Sequence, residues 1–322
     1  MNKPRILLTR RWTTSVEDYL ASRYDLTRNL DDVPLTAAQL ATAMREHDAV
    51  CPTVSDAITA AVIDTPDRRA KILGNFGVGF NHIAVDAAKR ADIVVTNTPD
   101  VLTDTTADLA VLLMLMAARR AGEGERELRA GRWIGWRPTH LLGQDLGGRT
   151  MGLIGFGRIA QATARKAHHG FGMKILYHSR RRAAAAVEAE CNAEYVAELD
   201  VLLPRCDVLS LHCPGGEETF HLIDARRLSL LRPGAILVNT ARGPVVDEIA
   251  LVEALRRGGL SAGLDVYEHE PRLAPGLVDL ENVVLLPHLG SATEQTRTAM
   301  GMRVVSNLDR FFAGEAPLDR VV

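Results

Sequence analysis

The stretch MGLIGFGRIA, residues Met151–Ala160, decides the fold that this sequence predicts. Its apolar start is typical of a buried strand, and Gln161–Ala167 has the character of a helix. Between them, Gly155, Gly157 and Ala160 form a G-x-G-x-x-A pattern. In a strand–turn–helix context these residues permit a tight turn, a close approach of the backbone to a pyrophosphate, and close helix packing. The stretch therefore predicts a dinucleotide-binding unit, in which the anion lies at a helix N-terminus.

Short apolar runs recur on both sides of this stretch and alternate with helical segments. They are Arg5–Thr9, Ala49–Thr53, Lys71–Asn75 and Ile93–Asn97, then Met151–Phe156, Lys174–Ser179, Asp207–His212, Ala235–Thr240, Ser261–Val266 and Asn282–Pro287. Continuous runs of this kind, separated by helices, indicate parallel sheets covered on both faces. Two such series predict an α/β chain of two doubly wound domains, one Rossmann-type and one flavodoxin-like. A helical pattern at Thr293–Phe312, with Ser291 or Thr293 as N-cap, follows the second series.

The bulk composition excludes several classes of protein. The 322 residues are 47% hydrophobic and 24% charged, with a net charge of −2, so no global field favours nucleic acid or an anionic membrane. The longest apolar run, Leu109–Ala118, is too short to span a bilayer and predicts a buried helix. Four scattered cysteines without paired spacing, and no secretory signal, predict a cytoplasmic protein with reduced thiols.

A second signal lies in ILYHSRRR, residues Ile175–Arg182, at the end of the next predicted strand. Ser179 lies about 20 residues after the glycine turn. At that distance, NAD sites usually have an acid that binds the ribose 2′-hydroxyl. An acid would repel a 2′-phosphate, whereas a serine hydroxyl and the guanidinium groups of Arg180 and Arg181 can bind one. The arginines also precede a predicted helix, Ala183–Glu190, whose N-terminal dipole disfavours cations. The segment predicts NADP as the preferred cofactor, with NAD as the alternative.

Three later segments hold the remaining reactive side chains, each at or just beyond the end of a predicted strand: Asn239–Gly243 (NTARG), Asp265–Pro271 (DVYEHEP) and Leu286–Thr293 (LPHLGSAT). In open α/β sheets ligands bind at that edge. An arginine, a glutamate and a histidine there suit the reduction of a 2-keto acid. The arginine can bind a carboxylate, and a histidine kept charged by the glutamate can donate a proton.

These segments closely resemble the D-isomer-specific 2-hydroxyacid dehydrogenase family. The motifs that carry the resemblance span most of the chain: GNFGVGFNHI (74–83), VTNTPDVLTDTTADLA (95–110), GLIGFGRIAQ (152–161), SLHCP (210–214), NTARGPVVDE (239–248) and LPHLGSAT (286–293). Within the family the chain looks most like glyoxylate/hydroxypyruvate reductases, whose cofactor strand also tends to end without an acid. The resemblance implies the NADPH-dependent reduction of a small 2-keto acid to the D-2-hydroxy acid.

The resemblance also implies a domain arrangement. Residues 100–289 would form the cofactor domain, inserted into a substrate domain made of residues 1–99 and 290–322. A homodimer would form through the cofactor domain and the Gly-rich arm Gly122–Gly148, which the sequence predicts to be irregular.

The resemblance assigns a role to each reactive residue. His288 would donate the proton to the carbonyl oxygen, and Glu270 would favour its imidazolium form. Arg242 would bind the substrate carboxylate and polarise the carbonyl, and the backbone N–H groups of Val78 and Gly79 would bind the carboxylate from the other side. No metal is implied.

The implied cofactor-binding residues are Thr106, Gly155, Gly157, Arg158, Ile159, Ser179, Arg180, Arg181, Cys213, Pro214, Thr219, Thr240, Ala241, Asp265 and Gly290. Of these, Thr106, Arg158 and Ile159 would line the phosphates. Asp265 would accept a hydrogen bond from the nicotinamide carboxamide.

The chain departs from the family pattern at two places. Between Gly258 and Asp265 it is one residue shorter than the common pattern, which leaves Glu268 as the alternative to Glu270. We choose Glu270 because a proline follows it directly, as in the family. His140 takes the place of an aromatic residue that similar reductases direct toward the neighbouring subunit's pocket, which leaves the identity of the 2-keto acid open.

Other functions remain as alternatives. A nucleotide-sensing corepressor of the C-terminal-binding-protein type shares the fold and these reactive residues, but such proteins prefer NAD. Phosphite and formate dehydrogenases, and dehydrogenases for other 2-keto acids, are alternatives among the enzymes. A formate dehydrogenase would have glutamine in place of Glu270.

Overall fold

The computed structural model describes residues 3–322, and the chain divides into two compact units. The first unit contains Met1–Leu102 and Ala292–Val322, and the second contains Thr103–Ser291. Each unit is built on one sheet, and all strand pairs assigned within residues 3–322 are parallel. The predicted fold class, two parallel-sheet α/β domains, is confirmed.

The first unit begins with alternating strands and helices. They are β1 (Arg5–Leu8), α1 (Thr14–Arg23), β2 (Asp25–Arg28), α2 (Ala37–Glu46), β3 (Ala49–Cys51), α3 (Ala60–Ile63), β4 (Ile72–Gly74), α4 (Val85–Arg90) and β5 (Val94–Thr96). The strand order is β2-β1-β3-β4-β5. The residues of β3 and β4 are all buried, as expected for strands covered on both faces.

The second unit contains the larger sheet. Its elements are α5 (Thr103–Ala118), α6 (Ala121–Arg129), β6 (Thr150–Ile154), α7 (Arg158–Phe171), β7 (Lys174–His178), α8 (Ala185–Glu190), β8 (Ala193–Tyr195), α9 (Leu199–Leu202), β9 (Val208–Leu211), α10 (Ala225–Leu230), β10 (Ala235–Asn239), α11 (Glu248–Arg257), β11 (Leu260–Leu264) and β12 (Val283–Leu285), with short 3₁₀ helices at Leu203–Arg205, Glu217–Thr219 and Gly243–Val245. The strand order is β12-β11-β10-β9-β6-β7-β8. The chain reverses direction across the sheet between β6 and β9, and such a switch point forms a ligand-binding crevice.

The final helix, α12 (Glu294–Phe312), belongs to the first unit, as part of its second segment. Thr293 is its N-cap, and its hydroxyl accepts from the backbone N–H of Thr296 at 3.2 Å. The prediction of this helix and of its cap is confirmed. Gly74 allows the helix to approach β4, because a Cβ there would lie 2.7 Å from Val304 Cγ1.

Several elements differ from those that the sequence predicts. The strands β2 and β8 were not predicted, because each is a short edge strand with exposed or half-buried residues and no apolar run. Helix α7 begins at Arg158, three residues earlier than expected, because Gly157 already serves as its N-cap. Helix α6 occupies the start of the arm that the sequence predicts to be irregular. Within residues 3–322, none of the helices combines the length and apolar character that crossing a membrane requires.

Candidate active site

The turn after β6 depends on Gly155. Its φ of +83° lies in the region that favours glycine, and its N–H donates to the carbonyl of His178 at 2.8 Å. A Cβ on Gly155 would lie 2.8 Å from the backbone nitrogen of Cys213, in the loop after β9. Glycine is therefore what allows the two loops at the switch point to meet.

The N-terminus of α7 lies directly beyond this turn. Gly157 is the N-cap, and a Cβ built on it would meet no atom within 4 Å, so the backbone is approachable from that side. Ala160 and Thr163 are fully buried, and their small side chains let the helix pack closely on the sheet. The first-turn N–H groups of a helix, here at Arg158 and Ile159, lack intrahelical acceptors and attract anions. This arrangement fits a pyrophosphate.

At the end of β7, Arg182 is bound within the protein. Its Nε and Nη2 donate to the two carboxylate oxygens of Glu188, at 2.9 and 2.8 Å, and the same carboxylate accepts from Tyr177 Oη at 2.6 Å. The hydrogen bonds from Arg182 and Tyr177 lower the pKa of Glu188 to about 2. Arg182 therefore already has an anionic partner, Glu188, beside the N-terminus of α8.

The two preceding arginines lie at the surface. Arg180 pairs with Glu218 at 2.9 Å, but the two side chains are 80% and 78% exposed. In the part of the chain that the structure describes, the side chain of Arg181 has no hydrogen-bonding or ion-pair partner. The hydroxyl of Ser179 donates to the carbonyl of Arg181 at 2.6 Å, so it would have to rotate in order to donate to a ligand. The loop after β7 contains no acidic residue. An anion bound there could pair with both Arg180 and Arg181.

The loop after β10 carries Arg242 and is shaped by Asn239. The Asn239 side chain accepts from the N–H of Ala241 and donates to the carbonyl of Arg242, both at 3.0 Å. The hydroxyl of Thr240 is buried without a hydrogen-bond partner in residues 3–322. Because a buried hydroxyl normally has a partner, Thr240 indicates a ligand group or water at this point.

Two glycines bring the neighbouring loops against Arg242. A Cβ on Gly215 would lie 2.9 Å from Arg242 Cγ. A Cβ on Gly243 would overlap the carbonyl carbon of Tyr267 at 1.9 Å. The loops after β9, β10 and β11 therefore converge at Arg242 only because these positions lack side chains.

His288 and Glu270 form a direct pair. His288 Nδ1 lies 2.9 Å from Glu270 Oε2, and the two side chains are 32% and 36% exposed, so the pair is accessible to a ligand. With Nδ1 turned toward the carboxylate, Nε2 is the ring nitrogen left for a substrate. Glu268, the alternative carboxylate, instead lies 3.0 Å from Nε2 of His221.

The charges of Glu270 and Arg242 each affect the pKa of the other side chain. Burial raises the pKa of Glu270, but the hydrogen bond and charge of His288, together with the charge of Arg242, lower it below its usual value. Burial lowers the pKa of Arg242, against the opposing effect of the Glu270 carboxylate. Glu270 is therefore a carboxylate at neutral pH and can accept a hydrogen bond from Nδ1 of His288.

Asp265 fixes the backbone that carries His288. Its two carboxylate oxygens accept from the N–H groups of Leu289 at 2.6 Å and Gly290 at 2.8 Å, and its carbonyl accepts from the N–H of His288. These bonds support a φ of +55° at His288, which is uncommon for a residue other than glycine. Burial raises the pKa of Asp265, against the lowering effect of these N–H groups. Asp265 thus has a supporting role besides its predicted contact with the cofactor.

In the first unit, two asparagines shape the loop that contains Val78 and Gly79. The amide of Asn75 donates to the carbonyls of Gly77 and Gly79, both at 3.0 Å, and Asn97 donates to the carbonyl of Val78 at 2.9 Å. The backbone N–H groups of Val78 and Gly79 donate to no acceptor within residues 3–322. They are available to an anionic ligand.

The other predicted residues have local partners. The hydroxyl of Thr106 donates to the carbonyl of Gly290 at 3.0 Å, and that of Thr219 donates to the carbonyl of Pro214 at 2.8 Å.

Outside the predicted set, His140 lies 2.9 Å from a carboxylate oxygen of Glu127 in its own chain. Sequence reasoning missed the supporting residues Asn75, Asn97, His221, Asn239 and Glu248, although all of them except His221 lie inside the quoted motifs. Within residues 3–322 no cluster of three or more His, Cys, Asp or Glu is arranged to bind a metal.

Comparison with known proteins shows which family the chain belongs to. The model of the D-isomer specific 2-hydroxyacid dehydrogenase, NAD binding domain, matches residues 111–290, more than half of the chain. The chain belongs to the D-isomer-specific 2-hydroxyacid dehydrogenase family. The resemblance predicted from its motifs is confirmed, and the protein is an oxidoreductase.

Relatives within this family match over nearly the whole chain. A glyoxylate reductase of Thermococcus onnurineus is 44% identical over 320 residues, which cover 98% of this chain and 95% of the relative. The solved structure of an NADPH-dependent glyoxylate/hydroxypyruvate reductase from Sinorhizobium meliloti, in complex with NADP and malonate, has a TM-score of 0.87 and 36% identity, covering 100% and 97% of the two chains. A D-mandelate dehydrogenase of Rhodotorula graminis, 31% identical, covers 100% and 98% with a TM-score of 0.87. Relatives of similar fold thus act on different acids.

Proposed function

We propose that the protein reduces glyoxylate to glycolate, or hydroxypyruvate to the D isomer of its 2-hydroxy acid, and that it prefers NADPH. The observation that carries the proposal is the His288–Glu270 pair, 2.9 Å apart, in the same unit as the half-buried guanidinium of Arg242. A proton donor and a carboxylate ligand are what the reduction of a 2-keto acid requires. Relatives that are named glyoxylate reductases and match nearly the whole chain support glyoxylate as the first substrate to test.

The reactive residues of this chain have different roles in the proposed reaction. Arg242 binds the substrate carboxylate and polarises the carbonyl. His288 donates its Nε2 proton to the carbonyl oxygen, and Glu270 stabilises the imidazolium before that transfer. When bound, the nicotinamide supplies the hydride for the keto carbon.

The cofactor residues fit a phosphorylated dinucleotide. The turn at Gly155, the open face of Gly157 and the N-terminus of α7 suit the pyrophosphate. The unpartnered hydroxyl of Thr240 suits a polar group of the nicotinamide half. The absence of an acid after β7, and the exposed side chains of Arg180 and Arg181, favour NADP over NAD.

The proposal is tested by steady-state kinetics of the purified protein. The assay uses glyoxylate, hydroxypyruvate, pyruvate, phenylglyoxylate and formate, each with NADPH or NADH for the keto acids and NADP or NAD for formate. We expect the highest kcat/KM for glyoxylate or hydroxypyruvate with NADPH. Activity on none of the keto acids would refute the proposed reaction, and a higher kcat/KM with NADH would refute the cofactor preference.

We also propose that the protein forms a homodimer through the second unit. The arm after α6 exposes Trp133, Ile134, Trp136 and Leu142, of which Trp136 is 82% exposed. Large apolar side chains concentrated on one segment are typical of an interaction surface. Light scattering of the wild type and of a Trp133→Ser, Trp136→Ser variant is the test. A monomeric wild type would refute the homodimer, and a dimeric variant would refute this surface.

A cytoplasmic location is the remaining proposal. All four cysteines are buried and free of disulfide bonds, as is usual in a reducing compartment. Cell fractionation of the source organism tests it, and recovery outside the cytoplasm would contradict it.

A further inference from the structure

The loop between β11 and β12 carries Glu270 but has little regular structure of its own. Its first part returns to the sheet through Tyr267, whose hydroxyl donates to the carbonyl of Leu286 at 2.8 Å. Glu270 Oε1 also accepts from the N–H of Tyr267 at 3.1 Å. These bonds orient the glutamate within the loop, but they do not fix the two halves of the loop against α11.

One buried carboxylate makes that connection. Glu248, the first residue of α11, is only 5% exposed. Its Oε1 accepts from the N–H of Glu268 at 2.8 Å, and its Oε2 accepts from the N–H of Ala274 at 3.0 Å. The two amides lie on either side of Glu270 in the sequence. A single side chain therefore joins the beginning and the end of the segment that presents Glu270.

We propose that Glu248 is a positioning residue of the reaction, whose carboxylate fixes the loop so that Glu270 faces His288. The inference rests on the proposed function, because it assigns Glu248 to the support of the proposed proton donor. It does not give Glu248 a contact with substrate or cofactor.

The charges around Glu248 are consistent with this role. Burial raises the pKa of Glu248, and the two backbone N–H groups oppose that effect. The carboxylate of Glu268 raises the pKa further, and His269 lowers it. Glu268 is itself paired with His221, which also faces Asp247 at 3.9 Å.

Two other charged groups surround the reacting pair, Arg242 in the loop after β10 and Asp265 at the start of the loop that carries Glu270. Arg242 and Asp265 act electrostatically on Glu270 or share the network of His288. None of these groups accepts from the amides of Glu268 or Ala274. Removing the Glu248 carboxylate should therefore act on the reaction through the position of Glu270, while the other charges stay in place.

The first test is Glu248→Gln, with Glu253→Gln as control. Glutamine keeps one acceptor oxygen, and its NH₂ group cannot accept from the second amide. Glu253 is an exposed acid on the same helix, so its substitution removes a charge without touching the loop. We expect Glu248→Gln to lower kcat/KM by on the order of 10- to 100-fold, since small displacements of reacting groups have effects of that size. The KM for the nucleotide should not change.

The second readout separates positioning from general damage. A displaced Glu270 stabilises the imidazolium of His288 less, so the alkaline limb of the pH–rate profile should move toward acid in Glu248→Gln. In a Glu270→Gln background the same substitution should move the limb no further, because coupled residues are not additive. An unmoved limb in Glu248→Gln, or an equal shift in both backgrounds, overturns the proposal.

A third readout does not depend on the activity. Hydrogen exchange at the amides of Glu268 and Ala274 should be faster in Glu248→Gln than in the wild type and in Glu253→Gln. Glu248→Asp, which keeps the charge but shortens the side chain, should show the same change if the glutamine variant does not fold. Unchanged exchange in a folded variant overturns the positioning role. A wild type without keto-acid reductase activity, but with this exchange pattern, would refute the proposed function and leave the loop contact in place.

Discussion

Replacing Arg181 by alanine tests the cofactor preference at one side chain. Arg181 has no partner within residues 3–322, so its removal breaks no contact of the folded protein. Its neighbour Arg180 pairs with Glu218, but exposed pairs of this kind contribute only about 0–1 kcal/mol, so a phosphate can displace the carboxylate. Both arginines should therefore be able to bind a 2′-phosphate.

The size of the expected effect follows from the same exposure. A hydrogen bond to a charged group contributes about 1.5–3 kcal/mol, and solvent around these side chains favours the lower value. Arg181→Ala should lower kcat/KM with NADPH by about 10-fold, and the double variant with Arg180→Ala by about 100-fold. Values with NADH should change little, because that nucleotide has no phosphate at this position.

The assay is steady-state kinetics with each nucleotide at a fixed concentration of glyoxylate. Arg182→Ala is the matched control, since Arg182 is already paired with Glu188 of its own chain. It should lower the melting temperature and leave the ratio of NADPH to NADH activity unchanged. Equal losses with both nucleotides in Arg181→Ala, or a larger change of the ratio in Arg182→Ala, would refute the reasoning.

Three further substitutions test other parts of the site. Ser179→Asp should lower kcat/KM with NADPH and raise it with NADH, since a carboxylate repels the 2′-phosphate and accepts from a ribose hydroxyl; a parallel change with both would contradict this. Arg242→Ala should lower kcat/KM at least about 100-fold, because carboxylate binding and carbonyl polarisation are lost together; Arg242 has no such role if most of the activity survives on every accepted acid. Glu270→Gln should move the alkaline limb of the pH–rate profile toward acid, since the low pKa of Glu270 keeps it charged across the neutral range; an unmoved limb would direct the same test to Glu268.

The fold could be predicted from the sequence wherever local chemistry determines the backbone. The turn at Gly155 needs a positive φ and a close approach to a neighbouring loop, and glycine is the residue that permits both. The central strands were predicted because both their faces are buried, which leaves a continuous apolar run. The edge strands β2 and β8 lack that run, since one side of each is exposed.

The site could be predicted only as a set of residue types at strand ends. Glu270 and Glu268 differ by two positions, and the sequence could not show which one approaches His288. That choice depends on the three-dimensional path of the loop, in which the carboxylate of Glu248 and the hydroxyl of Tyr267 make hydrogen bonds to residues distant in sequence. The pairing of Arg182 with Glu188 likewise depends on the position of α8, which carries Glu188. Such contacts are set by tertiary packing and leave no periodic signal.

The central claim is that His288 donates the proton in the reduction of a 2-keto acid. The most direct measurement compares kcat for glyoxylate and the Kd for NADPH in the wild type and in His288→Ala. We predict a loss of kcat of on the order of 100- to 10,000-fold, the range of general acid catalysis, with an unchanged Kd for NADPH. A variant that turns over glyoxylate at the wild-type rate would contradict the account.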